Sequence, residues 1–404
     1  MPRARTSGMA HGGSAIARID GKAFFVDGAL PDELISGTIE VDKGSWGRIR
    51  LETVVEPSPD RVSPPCSHFP ECGGCQWQHG EYAAQLEWKR AIVAGQLAHL
   101  GQHPDPPVQP TVAPGPPYGY RNRMDYTVID GRPALHKRQS RDLVALHECP
   151  ILHPNLAGLF VDLGDLTGMS AVTLRTATTT GETLAIIEGH VPRQVSTWGC
   201  RVGVVAKDGS VRPVHGEPVL EETVAGVTFR ITGRSFFQNN TKGAETLVSL
   251  VTAAAAVGED DTLLDAYAGG GLFSATVGQS AGRVLAIEVD EVSAQDLHAN
   301  LNRAGIDRFR ILRSTTEDAI EEIGEYWNVA IVDPPRRGLG AVGVDAITAA
   351  EPHTVVYVSC DPASLARDTG LLAARGYELD SATPVDMFPQ TFHIETVARY
   401  VHSH

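Results

Sequence analysis

A single cysteine near the carboxyl terminus stands in a sequence context that could present a nucleophile. Cys360 ends an apolar, β-branched run in YVSCDPASLARD, and a helix-like segment begins at Pro362. This pattern predicts that Cys360 lies at the carboxyl end of a strand, beside a helix N-terminus that stabilises an anion. Asp361 acts in the opposite direction, because an adjacent carboxylate disfavours a thiolate. Taken alone, such a cysteine is more often a small buried apolar residue than a nucleophile.

Chemistry at C5 of a pyrimidine would account for a cysteine in this position. Uracil is too weak a nucleophile at C5 to take a methyl group unaided, but thiolate addition at C6 converts the ring into an enolate that attacks a methylsulfonium. A base must then remove the proton from C5. Glu395, in the segment FPQTFHIETVARY, is the candidate base, because apolar neighbours raise the pKa of a carboxyl group. Spacing alone leaves a strand-surface carboxylate as an equal alternative.

A methyl donor would bind where earlier strands end. DAYAGGGLFS places Asp265 and three glycines at a strand-to-helix turn, so the backbone can approach a ligand closely. Glu288 ends the next strand, in the acidic position that binds ribose hydroxyls in Rossmann-like sites. The turn is too short for G-x-G-x-x-G and has no lysine for a pyrophosphate, which favours S-adenosylmethionine over NAD or ATP. Asp333 begins the motif DPPR, which occurs in many methyltransferases that act on nucleic-acid bases.

Four other cysteines have the spacing of metal ligands. Cys66, Cys72 and Cys75 lie in CSHFPECGGCQWQH, and Cys149 follows much later in HECP. Four thiolates can hold either a 4Fe-4S cluster or zinc, and the spacing does not separate the two. Cys200 has no partner in the sequence and is predicted to be a core residue.

The elements that position these residues follow from the hydrophobic pattern. From residue 244 onward, strand-like segments alternate with helix-like ones, which predicts an α/β, Rossmann-like domain with a mainly parallel sheet. Residues 8–58 combine short β-type runs with Gly-rich turns, as is typical of a small β-barrel. Residues 80–101 have helical periodicity between two Pro-rich linkers, and residues 118–230 are predicted to form mixed strands and turns.

Composition limits the classes of function. The net charge of −15 argues against a globally basic nucleic-acid binder, although residues 121–147 contain six basic and three acidic side chains. No run approaches the roughly 20 apolar residues of a membrane span. The sequence therefore predicts a cytoplasmic, monomeric protein without a membrane partner.

In combination the motifs resemble the RNA 5-methyluridine methyltransferase family, and within it the 4Fe-4S and TRAM-domain-bearing subgroup. The family consists of class I, S-adenosylmethionine-dependent enzymes that modify uridine in transfer RNA and large-subunit ribosomal RNA. The resemblance covers nearly the whole chain. It rests on SFFQNN, DAYAGGGLFS, DPPRRG, SCDP and HIE. Two positions depart from the family pattern: Asp361 stands where Asn is usual, and Ala268 where Cys is frequent.

The resemblance implies an RNA (uracil-C5)-methyltransferase whose partner is RNA, with ribosomal RNA favoured over transfer RNA. It implies that Cys360 is the nucleophile and Glu395 the proton acceptor. The residues implied to contact S-adenosylmethionine are Gln238, Tyr267, Glu288 and Asp333. The residues implied to hold a 4Fe-4S cluster are Cys66, Cys72, Cys75 and Cys149.

The predicted domain organisation has three parts. Residues 1–58 form a TRAM-like, OB-like β-barrel. Residues 59–79 and 116–230 form a central α+β iron-sulfur domain. Residues 80–115 and 231–404 form the Rossmann-like methyltransferase domain.

Two other functions remain open on the sequence. A noncatalytic, RNA-binding iron-sulfur scaffold would make Cys360 and Glu395 dispensable for any change in uridine. A cytosine-C5 methyltransferase would ordinarily carry its nucleophile directly after a proline, and SCDP speaks against that alternative.

Overall fold

The amino-terminal strands of the chain close into a small β-barrel. The structure is a computed structural model that describes residues 2–403, except for the side chain of residue 321. Ala15 and Ala17 are fully buried, and these small residues let the strands close around Phe24. The barrel strands, paired in the order β1-β2-β3-β5-β4, are β1 (Arg3–Met9), β2 (Ala15–Ile19), β3 (Lys22–Val26), β4 (Leu34–Asp42) and β5 (Trp46–Glu56). The predicted barrel is confirmed, and β1 and β2 are strands that the sequence pattern did not predict.

A long helix, α1 (Tyr82–His99), follows the cysteine-bearing segment. Its apolar stripe of Trp88, Ile92 and Leu97 recurs at helical spacing and is buried. Gln85 and Lys89 are buried on the same helix. Polar side chains at that depth require hydrogen-bond partners. Gln85 donates to the nearby carbonyl oxygens of Gly80 and Trp77. Both of these buried polar side chains also have partners about 300 residues later.

A second, mostly antiparallel sheet forms the central part of the chain. Among the described residues its strands pair in the order β12-β11-β10-β9-β6-β7-β8, and β10 and β11 run parallel. The elements are β6 (Arg123–Ile129), β7 (Arg132–His136), β8 (Leu143–Ala145), α2 (Pro154–Asp162), β9 (Met169–Thr176), β10 (Thr183–Gly189), β11 (Arg201–Val205) and β12 (Val211–His215), with a short 3-10 helix at Arg193–Thr197. Cys200 is buried in the core of this region, as predicted.

A hairpin and a helix connect the central sheet to the carboxy-terminal region. The hairpin strands are β13 (Val219–Val224) and β14 (Val227–Thr232), and α3 (Thr241–Ala255) follows. Asn240 caps α3 by accepting a hydrogen bond from the Gly243 N–H at 3.1 Å.

The carboxy-terminal region is a doubly wound α/β sheet. Its strands pair in the order β17-β16-β15-β18-β19-β21-β20; all neighbours are parallel except those of β21, which runs antiparallel to both β19 and β20. The elements are β15 (Thr262–Ala266), α4 (Leu272–Thr276), β16 (Arg283–Ile287), α5 (Glu291–Arg303), β17 (Phe309–Leu312), α6 (Thr316–Ile323), β18 (Val329–Val332), α7 (Gly340–Thr348), β19 (Thr354–Ser359), α8 (Pro362–Ala373), β20 (Tyr377–Val385) and β21 (Glu395–His402), with a 3-10 helix at Val277–Ser280. The predicted Rossmann-like fold is confirmed.

Helices cover both faces of this sheet. Ile92 and Leu97 of α1 share one hydrophobic core with Leu365 and Leu372 of α8. The other face packs on α3, through residues such as Leu247. No helix within residues 2–403 has both the length and the apolar character needed to cross a bilayer.

Candidate active site

A cleft at the carboxyl ends of the parallel strands contains every residue predicted for catalysis and donor binding. It has a volume of about 1020 Å³, which lies at the upper end of small-molecule pockets. A nucleoside-bearing ligand and a nucleobase can therefore occupy it together. Its position at the strand ends follows the general rule for doubly wound sheets. The predicted residues that line it are Gln238, Tyr267, Glu288, Asp333, Cys360 and Glu395.

The pairing of β19 with β21 brings the two predicted catalytic side chains to the same cleft. These strands are antiparallel, and Ser359 pairs with Thr396. Cys360 and Glu395 are the next residues beyond this pair on their two chains, and both side chains line the cleft. Glu395 is only 5% exposed, whereas Cys360 is half-buried. Sequence spacing could suggest that the two segments are neighbours, but the register that aligns them is a property of the fold.

The surroundings of Cys360 favour the thiol over the thiolate. Burial raises the pKa of Cys360 to about 12, and Glu395 and Asp333 act in the same direction. Arg336 lowers it. Because the thiolate is the nucleophile, these surroundings favour the unreactive thiol, and added positive charge would favour the thiolate.

The carboxyl groups beside Cys360 are also shifted towards their neutral forms. Burial, and then Asp333, raise the pKa of Glu395 well above its usual range, while Arg336 lowers it. Burial and the neighbouring Asp265 raise the pKa of Asp333 to about 7. A bound cation would favour ionisation of both groups, because an opposite charge stabilises a carboxylate.

Arg336 is a functional residue that sequence reasoning left without a role. It lines the cleft, and its guanidinium lies 3.3 Å from Nδ1 of His393. Its charge lowers the pKa of both Cys360 and Glu395. Its position directly after the two prolines of DPPR, at the end of β18, is the sequence feature that could have indicated a place in the cleft.

The Gly-rich turn after β15 is held from two sides. The carboxylate of Glu288 accepts hydrogen bonds from the N–H groups of Gly269 at 2.8 Å and Asp290 at 2.7 Å. Gly271 has a φ of 88°, and a Cβ there would lie 2.6 Å from the side chain of Leu297, so glycine is required. Tyr267 has a φ of 65°, which a non-glycine residue adopts rarely.

Asp265 supports this turn from below. Its Oδ2 accepts hydrogen bonds from the Ser274 N–H at 2.8 Å and the Ser274 hydroxyl at 2.5 Å. Burial raises the pKa of Asp265 to about 7. Asp265 thus acts beneath the turn, while Glu288 and Asp333 face the cleft.

Asp361 is turned towards a helix and the barrel. Its carboxylate caps α8 by accepting hydrogen bonds from the Ser364 N–H and hydroxyl, both at 2.8 Å. Its other oxygen lies 3.3 Å from Nε2 of His11, in the loop between β1 and β2. The hydrogen bonds from these partners outweigh the effect of burial and hold the pKa of Asp361 well below its usual range. As expected, its charge raises the pKa of Cys360, although burial and two other carboxyl groups contribute more.

The four clustered cysteines line a separate, much smaller cavity of about 20 Å³. All four are free thiols, and the rest of the lining is largely apolar, including Met124 and Leu135. Burial raises the pKa of Cys75 and of Cys149 to about 12, and charges on the neighbouring cysteines act in the same direction. Within the described residues, no group of three or more His, Cys, Asp or Glu side chains has the arrangement of a metal-ion site. The structure thus brings the four residues to one cavity without forming a closed ligand set.

The sheet order and the cleft define a class I methyltransferase fold. A sequence model of the tRNA (Uracil-5-)-methyltransferase family matches residues 217–400. A protein of Gloeobacter violaceus, named as an uncharacterized RNA methyltransferase, is 33% identical over 434 aligned residues, covering 96% of this chain and 94% of that protein. A protein of Streptomyces coelicolor with the same kind of name is 34% identical and covers 96% and 90%.

A solved structure has the same fold over almost the whole chain. The tRNA (uracil-54, C5)-methyltransferase of Pyrococcus abyssi, in complex with S-adenosyl-L-homocysteine, superposes with a TM-score of 0.79 at 24% identity, covering 99% of this chain and 100% of that one. The chain therefore belongs to the tRNA (uracil-5-)-methyltransferase family of S-adenosylmethionine-dependent RNA methyltransferases.

Proposed function

We propose that this protein methylates C5 of a uridine in RNA through a covalent bond between Cys360 and C6. Glu395 is the proton acceptor. The observation that carries the proposal is the pairing of Ser359 with Thr396, which brings the neighbouring Cys360 and Glu395 to one cleft that Asp333 also lines. A nucleic-acid base must leave its stack to enter such a cleft, and Phe236, which is 58% exposed at the rim, can receive an aromatic ring.

Cys360 and Glu395 carry out different steps of the proposed reaction. Arg336 favours ionisation of Cys360, whose thiol gives up its proton to water. The thiolate then adds to C6, and the C5=C6 electron pair moves onto the C4 oxygen as an enolate. S-adenosylmethionine, when bound, would supply a positive charge and the methyl group that C5 takes, and would leave as neutral S-adenosylhomocysteine. Glu395 in its ionised form accepts the proton from C5, the C6–sulfur bond then breaks, and the electron pair returns to sulfur. Arg336 favours the ionised forms of Cys360 and Glu395, which these reaction steps require.

Four residues are proposed to hold the donor. Glu288 projects from the end of β16 into the cleft, where a carboxylate can accept hydrogen bonds from ribose hydroxyls. Asp333 offers a carboxylate to the donor's positive charge. Gln238 and Tyr267 complete the set, and both line the cleft.

We propose a 4Fe-4S cluster on the four clustered cysteines. The support is chemical: four free thiols line one largely apolar cavity, and Gly74 also lines it. Purification without oxygen tests this proposal. A brown protein containing about four irons per chain is expected, and a colourless protein that contains zinc would contradict it.

Ribosomal RNA is the first proposed target, with transfer RNA as the second, and the protein is proposed to act as a cytoplasmic monomer. The proposed domain bounds are residues 1–58, 59–79 with 116–230, and 80–115 with 231–404. The packing of α1 on α8 supports the assignment of the helix to the methyltransferase unit.

Mapping of 5-methyluridine in cellular RNA tests the proposed activity. Ribosomal and transfer RNA from cells with and without the protein are compared by mass spectrometry, and the missing modification is restored with either the native protein or Cys360→Ala. Loss of the methyl group at one or a few uridines, restored only by the native protein, is expected. The proposal fails if no uridine loses its methyl group, or if Cys360→Ala restores it fully.

A further inference from the structure

A buried lysine holds the segment that leads to the proposed base. We define the base loop as residues 386–394, which connects β20 to β21. The strand residues on either side of it, Val385 and Glu395, pair with each other. The ammonium of Lys89 on α1 lies 2.5 Å from Oδ1 of Asp386 and 2.8 Å from the carbonyl oxygen of His393, at the two ends of the loop.

Lys89 is shielded from water and bound on several sides. Its side chain and that of Asp386 are both 0% exposed. A third acceptor, the carbonyl oxygen of Phe388, lies at 3.3 Å, and the ring of Trp77 lies 5.8 Å from the ammonium. Burial of an ammonium is strongly unfavourable unless its donors are satisfied. All three acceptors belong to the base loop, so the burial of Lys89 is compensated only when the loop has this conformation.

A second residue of α1 binds the middle of the base loop. The side-chain amide of Gln85 donates to Oε1 of Gln390 at 3.0 Å, and its oxygen accepts from the Gln390 N–H at 3.2 Å. Neither Gln85 nor Lys89 lines the cleft. Phe388 of the base loop does line the cleft, so α1 contacts the loop from outside the cleft while the loop itself reaches into it.

We infer that Lys89 is a positioning residue for proton removal: by joining the two ends of the base loop, it fixes the start of β21 and hence the place of Glu395 beside Cys360. This inference rests on the proposed function. Cys360 is held by a different element, the junction of β19 with α8. Loss of the Lys89 contacts should therefore impair the step that needs Glu395 more than the steps that need only Cys360.

The test separates methyl transfer from product release. Lys89→Met combined with Asp386→Asn removes both buried charges, so that neither is left unpaired. Unmethylated total RNA from cells that lack the protein is incubated with S-adenosylmethionine carrying a tritiated methyl group. After nuclease digestion and a denaturing gel, label that stays with the protein measures the methylated adduct, and label in free nucleotides measures product.

For the double variant we expect release about 10- to 100-fold slower than for the native protein, as for a small misplacement of a catalytic group. Labelling of the adduct should stay within about threefold, so the adduct accumulates. Leu156→Ala is the matched control for lost stability, because it leaves a cavity at a buried position of α2 in the central sheet region. It should accumulate no adduct at an equal loss of melting temperature.

Two outcomes would overturn the inference. One is a folded double variant in which labelling and release slow together; the other is normal release. Asp386→Asn alone is nearly isosteric and leaves the two carbonyl acceptors of Lys89, so it should fold and accumulate adduct to a smaller extent. If the double variant does not fold, absence of adduct in Asp386→Asn overturns the inference. If the native protein labels no RNA, the proposed function fails, and the role of Lys89 with it.

Discussion

Affinity for S-adenosylmethionine should fall as the pH drops below about 7. Burial and Asp265 raise the pKa of Asp333 to about 7, so this carboxyl group gains a proton in mildly acidic solution. The donor is a cation and binds better to the ionised carboxylate. Binding therefore releases a proton below the pKa, and the affinity should rise with pH until it levels off above about 7.

The size of the effect follows from the linkage between protonation and binding. Each pH unit below the pKa weakens binding about tenfold, or about 1.4 kcal/mol. Between pH 7.5 and pH 5 the dissociation constant should therefore increase roughly 50- to 100-fold. Measurements stay below about pH 7.5, because the α-amino group of the donor titrates near 7.7–8.0.

Isothermal titration calorimetry provides the assay, without any RNA. Titrations in buffers of different ionisation enthalpy report the proton released on binding. Asp333→Asn should bind weakly at every pH and lose the pH dependence. Asp265→Asn should move the midpoint to lower pH, because Asp265 contributes to the raised pKa of Asp333. Asp380→Asn, which affects a surface ion pair with Arg399, is the control and should match the native protein.

Two results would refute this reasoning. The first is a native protein whose dissociation constant does not change between pH 5 and pH 7. The second is an Asp333→Asn variant that keeps the native slope.

Three further predictions concern the remaining groups. Glu395→Gln should slow turnover about 10²- to 10⁴-fold while adduct formation is preserved, since Glu395 raises the pKa of Cys360; a gel shift of the RNA adduct checks this. Asp361→Asn should retain the helix cap and speed adduct formation by at most about tenfold, as measured in rapid-quench assays. His11→Ala, added to Asp361→Asn, should have no further effect in the same assays. Cys75→Ser should lower the iron content and the melting temperature together, measured by metal analysis and calorimetry.

The strand ends that form the cleft could be predicted because parallel strands are buried on both faces. Such strands appear as continuous apolar runs, and every residue from Thr354 to Ser359 is indeed buried. The residue after each run then marks the edge of the sheet where ligands bind, which identified Glu288, Asp333 and Cys360. The fold class and these three residues followed from this rule, whereas Gln238 and Tyr267 were implied only by the family resemblance.

Other features depended on tertiary contacts that no local pattern records. β1 has the sequence RARTSGM, in which the buried positions include Thr6 rather than a large apolar residue, so its alternation was not visible. The hydroxyl of Thr6 is satisfied by the carbonyl oxygen of Leu30 at 2.5 Å. From its residue type alone, Lys89 would be predicted to lie on the solvent-exposed face of a helix. Its burial is explained by Asp386 and by the carbonyl oxygens of Phe388 and His393, about 300 residues later.

The base loop contacts segments from separate parts of the chain. These contacts give a physical reason why the cysteine segment lies directly before α1 in the sequence. The N–H groups of Gln76 and Trp77, directly after Cys75, both donate to the carbonyl oxygen of Gln390 at 3.0 Å. The indole of Trp77 donates to the carbonyl oxygen of Gly13 in the barrel at 3.1 Å. One short segment thus joins the cysteine cavity, the barrel and the loop that carries Glu395 into the cleft. A change at the cysteines should therefore reach the cleft through the base loop, which contains Phe388 and leads to Glu395.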